Sequence, residues 1–342
     1  LGRIDRKIAS DRTAVKADQR LFLTRVSAEV NALSRRDADQ HDEVVYLVSE
    51  TEDGRLCGQR LVALTRSELG SRARLIVVEG LQVRDGQRFR RVGIHNLFDQ
   101  IDRLRRDNTA TEVELNATGG FKGVVPYLTL YGMFHDLPVS YIFEQSETLI
   151  RLPRIPLEFD WAKLAPAERA VSALCDSVLH ERELRDLLPA DYWRAKADYD
   201  CLFEREDGQV TLSAVGLLMR GRLDAAVENT EVLLSPRAKT ALDEAEQEVR
   251  SHYEFMLTRV RSPLLRADAA HNETLHKTDL KVWKRYGQAG PRMLYWVDEP
   301  RVLVGELLKH DDYLAYVNGS PRKRSDYPIE HFTIFANRRP VD

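Results

Sequence analysis

The sequence predicts a multidomain chain of α/β and α+β class, and three observations carry that expectation. Residues 1–157 alternate strand-like and helix-like stretches, the pattern of a mostly parallel sheet with crossover helices. Residues 158–227 read as short helices, a hairpin and a further helix, the order of a winged-helix-like module. Residues 228–342 read as a strand, a helical stretch and an antiparallel meander, which is α+β. A chain of 342 residues has room for two or three domains at about 150 residues each.

Each element has a local signal. Residues 1–33 are charged and amphipathic and read as helix. VVYLVSET (44–51), RLIVVEGLQV (74–83), EVELNAT (112–118) and VSYIFE (139–144) read as strands. Pro153 and Pro156 then stop regular structure and mark a domain exit. In the middle segment a helix starts near Pro166, and LFEREDGQVTL (202–212) reads strand, turn, strand, with Asp207 and Gly208 at the tip. Ser213 caps the helix that follows. No basic helix face goes with this hairpin, so a dimerising connector is expected rather than a DNA reader.

The last segment opens with a strand at 230–234, an N-cap at Ser235 and Pro236 in the first helical position. One long charged helix is expected from 237 to about 260, then a polar loop at 268–278. Three strands follow at 279–286, 292–297 and 301–308.

Composition narrows the function classes. Hydrophobic residues make up 43%, ample for packed cores, and a net charge of −3 gives no global signal for nucleic acid. Any RNA contact must therefore come from local basic clusters. No apolar run reaches the length of a membrane span, and no secretory pattern opens the chain. Cys57, Cys175 and Cys201 are scattered without a C-x-x-C, which fits a reducing, cytoplasmic setting and not zinc.

The most informative stretch is EVELNATGGFKG at 112–123. Thr118, Gly119 and Gly120 would let backbone approach a ligand closely, and Lys122 adds a flexible cation. A helix opening after Lys122 would favour an anion at its amino end. The reading is a phosphate cradle at the carboxyl end of a strand. A GGxK turn is also an ordinary strand-to-helix corner. Neither the GxxxxGK[ST] nor the GxGxxG pattern is matched.

NATGGFKGVVPYLTLYGMFHDLPVSYIFEQSETLIRLPRIPLEFDW (116–161) resembles the CARF domains of CRISPR-associated proteins. The likeness is to the subgroup with N-x-TGG-x-K, a helix, a strand ending YIxE and then LPxxP. SAEVNALSR and VVYLVSETEDG fit the same subgroup, so the resemblance spans roughly residues 1–160. It implies a Rossmann-like, homodimeric sensor of cyclic oligoadenylate, the messenger of type III CRISPR systems. Two-fold symmetry would suit cyclic tetra-adenylate across one isologous interface. The ligand residues it implies are Lys122 for phosphate and Asn116, Thr118, Gly119, Gly120 and Phe121 for the wall. Ser49, Glu50, Thr51, Glu144 and Ser146 are candidates for ribose or base contacts. The family opens with a strand and a Thr/Ser-rich phosphate loop. This numbering starts at Leu1 in helix-like sequence, so that strand is expected upstream.

LLSPRAKTALDE (233–244) and GPRMLYWVDEPRVLVGELLKHDDYLAY (290–316) resemble the RelE/HigB toxin superfamily. That resemblance implies a ribosome-dependent endoribonuclease cutting mRNA in the A site. Lys281 and Arg285 would hold the basic-strand places and Arg292 the arginine opening the apolar strand. His310 and Tyr316 would take the terminal basic and aromatic places. Lys281, Lys284 and Arg285 do not align uniquely.

The residues support similar chemistry on their own. Alternation puts Lys281, Trp283 and Arg285 on one strand face and Leu280, Val282 and Lys284 on the other. Cleavage through a 2′-hydroxyl needs a base, charge compensation at phosphorus and a proton for the leaving oxygen. Lys281, Lys284, Arg285, Arg292, Lys309, His310 and Tyr316 are the candidates, with the base left open. Clustered cations lower one another's pKa, so a lysine could serve. Trp283 or Tyr316 could stack on a base. Neither metal nor cofactor is required, although His310, Asp311 and Asp312 leave a metal reading open. Tyr295 and Trp296 read as core, and Arg322 to Arg324 as an exposed tail able to touch ribosomal RNA. Two rivals stay open: a ring nuclease degrading its own ligand, and a ligand-responsive transcriptional regulator.

Overall fold

A computed structural model describes residues 8, 10–12, 18–108, 112–120, 122–142, 148–153, 155, 157–189, 199–268, 271–284 and 290–336. The chain divides into two compact units, Leu1–Glu158 with Thr211–Leu218, and Phe159–Val210 with Met219–Asp342. Mixed α/β content over several sheets agrees with the multidomain expectation at the level of class.

Within residues 18–34 the first unit has two helices where one was expected. α1 (Gln19–Val26) stops at Ser27, whose extended backbone and side chain cap α2 (Ala28–Ser34), accepting from Val30 N at 3.2 Å. A serine that can bond the backbone in a non-helical conformation favours caps over helix interiors, and here it breaks the run. β1 (Glu43–Ser49) then pairs in parallel with β2 (Arg72–Val78), and α3 (Glu52–Glu68) makes the crossover. Thr51 caps α3 through its hydroxyl.

After β2 comes a loop at 79–93, ending in a helical turn (Gly86–Arg88) and a π-turn (Phe89–Gly93) that leads into α4 (Ile94–Asp107). β3 (Leu115–Asn116) is parallel to β4 (Val139–Ile142), which is antiparallel to β5 (Leu149–Leu152). α5 (Val125–Phe134) connects β3 to β4. The four expected strands thus fall into two sheets, β1-β2 and β3-β4-β5, instead of one. The strand expected at 112–118 is two residues long; past it Asn116 Oδ1 accepts from Thr118 N inside the turn, and Thr118 Oγ1 accepts from Ile142 N of β4.

Gly80 and Gly93 meet back to back at the base of the 79–93 loop. A Cβ on Gly93 would lie 2.4 Å from the Gly80 carbonyl oxygen, and Gly80 has φ +76. Only backbone could yield there, so Gly93→Ala is expected to cost about 1–3 kcal/mol, typical of forced overpacking. Thermal unfolding checks this: a melting temperature equal to wild type would contradict the contact.

In the second unit, α6 (Trp161–Leu164) and α7 (Glu168–Asp176) precede β6 (Leu179–His180) and α8 (Glu181–Leu187). The hairpin β7 (Phe203–Glu206) and β8 (Gln209–Leu212) turns through Asp207 and Gly208, both at positive φ as a two-residue hairpin requires. Strand order is β6-β8-β7. α9 (Ala214–Asn229) follows, with Ser213 accepting from Gly216 N; the end of β8 and the start of α9, Thr211–Leu218, belong to the first unit.

The larger sheet holds β9 (Glu231–Leu234), β10 (Asn272–Thr274), β11 (Lys281–Lys284), β12 (Arg292–Asp298), β13 (Arg301–Leu308) and β14 (Thr333–Ile334). Its order is β10-β11-β12-β13-β9-β14, antiparallel except where β9 runs parallel to β13. The long helix expected at 237–260 is two helices, α10 (Pro236–Asp243) and α11 (Gln247–Arg259). Asp243 and Glu244 place negative charge at the carboxyl end of α10, where the dipole disfavours it, and Glu246, at φ −59 and ψ 153, leaves helical backbone as the N-cap of α11. α12 (Pro263–Ala267) precedes β10, and α13 (His310–Asn318) follows β13.

Both faces of this sheet are buried. One carries Trp283, Met293, Tyr295, Val302, Val304 and Leu307 against α10 and α11. The other carries Leu280, Val282, Leu294, Trp296 and Leu303 under Tyr313, Tyr327 and Phe332. Tyr295 and Trp296 are core, as expected.

Candidate functional site

In the first unit the turn after β3 is built by its own side chains. Asn116 Oδ1 accepts from Thr118 N at 3.1 Å, and Thr118 Oγ1 accepts from Ile142 N at 3.0 Å, tying the turn to the end of β4. Gly120 needs its glycine for conformation, with φ +78 and open space where a side chain would stand. Gly119 needs it for packing, because a Cβ there would lie 2.2 Å from Glu29 Cγ. In this structure the side chain approaching Gly119 is that of Glu29 of α2. Lys122 is exposed and starts a 3-10 turn (Lys122–Val124) into α5, whose amino end has no side-chain cap. Phe121, Glu144 and Ser146 lie outside the described residues.

At the carboxyl end of β1, the Ser49 and Thr51 hydroxyls are 2.8 Å apart. Glu50 takes a two-pronged bond from Arg88, Nε to Oε1 at 3.2 Å and Nη2 to Oε2 at 3.3 Å, and Arg88 also reaches Glu79 at 3.2 Å. The Arg88 hydrogen bonds hold the Glu50 carboxyl below the usual carboxylate range and raise the guanidinium in turn. A lowered folded pKa means the pair contributes above the ordinary carboxylate value and is lost as pH falls through the lowered one. Arg88 was not legible as a partner of Glu50 because the two lie 38 residues apart and meet only through the parallel β1–β2 pairing.

In the second unit the sheet register sorts the cations. Lys284 pairs with Arg292, and Arg292 with Leu308, so these three share a face. Lys281 pairs with Tyr295 on the opposite face and is exposed, which separates it from Arg292. Arg285 lies outside the described residues. Arg292 is 5% exposed; its guanidinium sits 5.4 Å from the Tyr313 ring centre and donates to the Gly290 and Pro291 carbonyls. Lys284 forms an ion pair with Glu273 of β10, and the Tyr313 hydroxyl reaches the same carboxylate at 3.4 Å. Burial, then the Glu273 charge, pushes the Tyr313 hydroxyl up. Glu273 escaped the sequence reading because it stood in a stretch taken as polar loop, and only the β10–β11 pairing brings it to Lys284.

Lys309 is exposed at the start of α13, and His310, partly buried, is the first residue of that helix. Tyr316 is tied to the backbone of Arg322, accepting from its N–H at 2.8 Å. Trp283 is fully buried, so it cannot stack on a base as expected. Arg322 is not an exposed tail residue either. It pairs at 2.9 Å with Glu306, a carboxylate 5% exposed that also accepts from the Tyr327 hydroxyl at 2.8 Å. A buried carboxylate needs such partners, and they fasten the carboxyl-terminal segment onto the sheet. Among the described residues, no group of three or more His, Cys, Asp and Glu side chains converges as a metal site would, and no helix is long and apolar enough to cross a membrane.

Residues 24–155, from α1 through β5, match the model of a CRISPR-associated protein family, Cas_APE2256. The match supports a CRISPR-associated protein. No curated protein matches the chain.

Proposed function

We propose that this chain is a type III CRISPR effector in which a CARF-like unit binds cyclic oligoadenylate, cyclic tetra-adenylate by preference, and activates a RelE-like endoribonuclease that cuts mRNA on the ribosome. The observation that carries the first half is the match over residues 24–155 together with the Asn116-to-Lys122 turn inside it. Sheet topology supports the second half. β9 parallel to β13, the β11-β12-β13 meander and a helix pair on one face follow the order of elements in the toxin resemblance.

In this reading Arg292 and Lys284 compensate charge at the phosphorus, and Glu273 takes the 2′-hydroxyl proton beside them. α5 supplies the two-fold interface. Its sequence VPYLTLYGMF is apolar all round, yet only Tyr131 and Gly132 of it are buried. Segment 158–227, with strand order β6-β8-β7 after a helix pair, serves as a winged-helix-like connector. The ligand activates by favouring one state of the protein over another.

The test is mRNA cleavage with ribosomes, with and without cyclic tetra-adenylate, next to direct ligand binding. Lys122→Ala is expected to weaken binding roughly 10- to 100-fold, the range for one lost charge-assisted hydrogen bond of about 1.5–3 kcal/mol. Activation should fall in parallel. Cleavage that ignores the ligand would overturn the sensor reading, and linear products of the ligand would favour a ring nuclease.

A further inference from the structure

The loop at 79–93 carries Arg84, Arg88, Arg90 and Arg91 within eight residues, and its geometry is fixed from inside. Gly80 and Gly93 close its base. The Gln82 side chain, 9% exposed, accepts from Arg84 N at 2.6 Å and Asp85 N at 3.0 Å and donates to Asp85 O at 2.8 Å. Asp85 in turn caps the turn carrying Arg88, accepting from Gln87 N and Arg88 N at 3.0 Å. Phe89, buried, meets Tyr127 of α5 edge-on at 5.9 Å between ring centres. That contact sets the arginine loop beside the first turns of the helix that Lys122 precedes. Arg84, Arg88 and Arg90 are exposed. A preformed loop bearing exposed arginines suits phosphate, which arginine binds bidentately at low reorganisation cost.

We propose that this loop is the second half of the anion site, and that Arg88 is an exchangeable latch whose Glu50 partner is displaced by a phosphodiester of the ligand. The proposal rests on the sensor reading above and adds its recognition residues and its resting lock. Glu50 offers Arg88 the same two-oxygen geometry that a phosphodiester would, so carboxylate and ligand compete for one guanidinium. Glu50 also sits between Ser49 and Thr51, so its release alters the end of β1 where those hydroxyls lie. In this scheme Glu50 opposes binding, in place of the ribose or base contact expected from sequence.

The experiment is a titration of the full chain with labelled cyclic tetra-adenylate at low and moderate salt, comparing wild type, Arg88→Ala, Arg88→Lys and Glu50→Gln. Arg88→Ala is expected to lose roughly tenfold or more in affinity, and Arg88→Lys to recover only part, since an ammonium lacks the fork. Glu50→Gln is expected to tighten binding about two- to fivefold, the range over which exposed ion pairs act. A misfolded variant cannot gain affinity, so this arm stands whatever Arg88→Ala does to folding. If wild type binds and Arg88→Ala binds equally well, the loop is not part of the site. Weakened Arg88→Ala with Glu50→Gln unchanged or weaker overturns the exchange. Failure of wild type to bind sinks the sensor reading itself.

Discussion

Arg292→Ala is expected to lower ribosome-dependent mRNA cleavage by about 10²–10³-fold, the loss seen when one preorganised charge-stabilising donor is removed from an active site. The expectation comes from where the guanidinium stands. It is nearly enclosed, stacked against Tyr313, tethered to two carbonyls and in register with Lys284. A cation held this way, away from water, acts on developing phosphorane charge more strongly than a mobile surface arginine would. The same enclosure means the alanine variant also loses packing, so a fall in activity alone would be ambiguous. Arg292→Lys resolves it: it keeps the charge but not the planar fork. It should melt near wild type yet cleave at least tenfold more slowly. Single-turnover cleavage and thermal melting on the same preparations decide the matter. Full activity in either variant would remove Arg292 from the chemistry.

Glu273→Gln belongs beside it. The amide keeps the side chain's size and cannot take a proton, so chemistry should fail while Lys284 and Tyr313 keep a neighbour. The sequence reading left the base open, and the reason is physical. Whether Glu273 meets Lys284 depends on strand pairing across 11 residues, which local patterning does not encode. The same limit explains the two sheets of the first unit. Apolar runs marked where β1 and β2 lie, although the run at 74–83 ends as strand at Val78, and which edge pairs with which is non-local.

Local chemistry was more legible. Ser235 with Pro236 and Asp207 with Gly208 each carry a cap or turn in the residue types themselves, whereas Thr51, expected at a strand end, caps α3. The opposite error came at residues 243–246, where one long charged helix was expected and the chain leaves helical backbone between α10 and α11. At β11, alternation assigned the faces as the structure has them, with Trp283 opposite Val282. What it could not convey was that both faces are covered. A strand with one apolar and one basic face looks half-solvated, and only the helix pair packed over Trp283 makes it interior.

That coverage gives Trp283→Ala the largest expected effect on stability. Trp283 is 0% exposed, lies parallel to the His271 ring at 4.9 Å and 16°, and packs among Met293, Tyr295 and the α11 residues Tyr253 and Met256. Truncating such a side chain costs about 3–5 kcal/mol. For a folding unit of this size that is roughly 6–20 °C in melting temperature. A base-stacking role would predict the reverse: unchanged melting and weaker RNA binding. Trp283→Phe sharpens the contrast. The indole N–H has no hydrogen-bond partner among the described residues, so phenylalanine gives up volume but also removes a buried unsatisfied donor. It should therefore melt much closer to wild type than alanine does. Cleavage by Trp283→Ala, assayed well below its own melting point, should stay near wild type, because the residue holds the sheet against α11 and stands on the face away from Arg292.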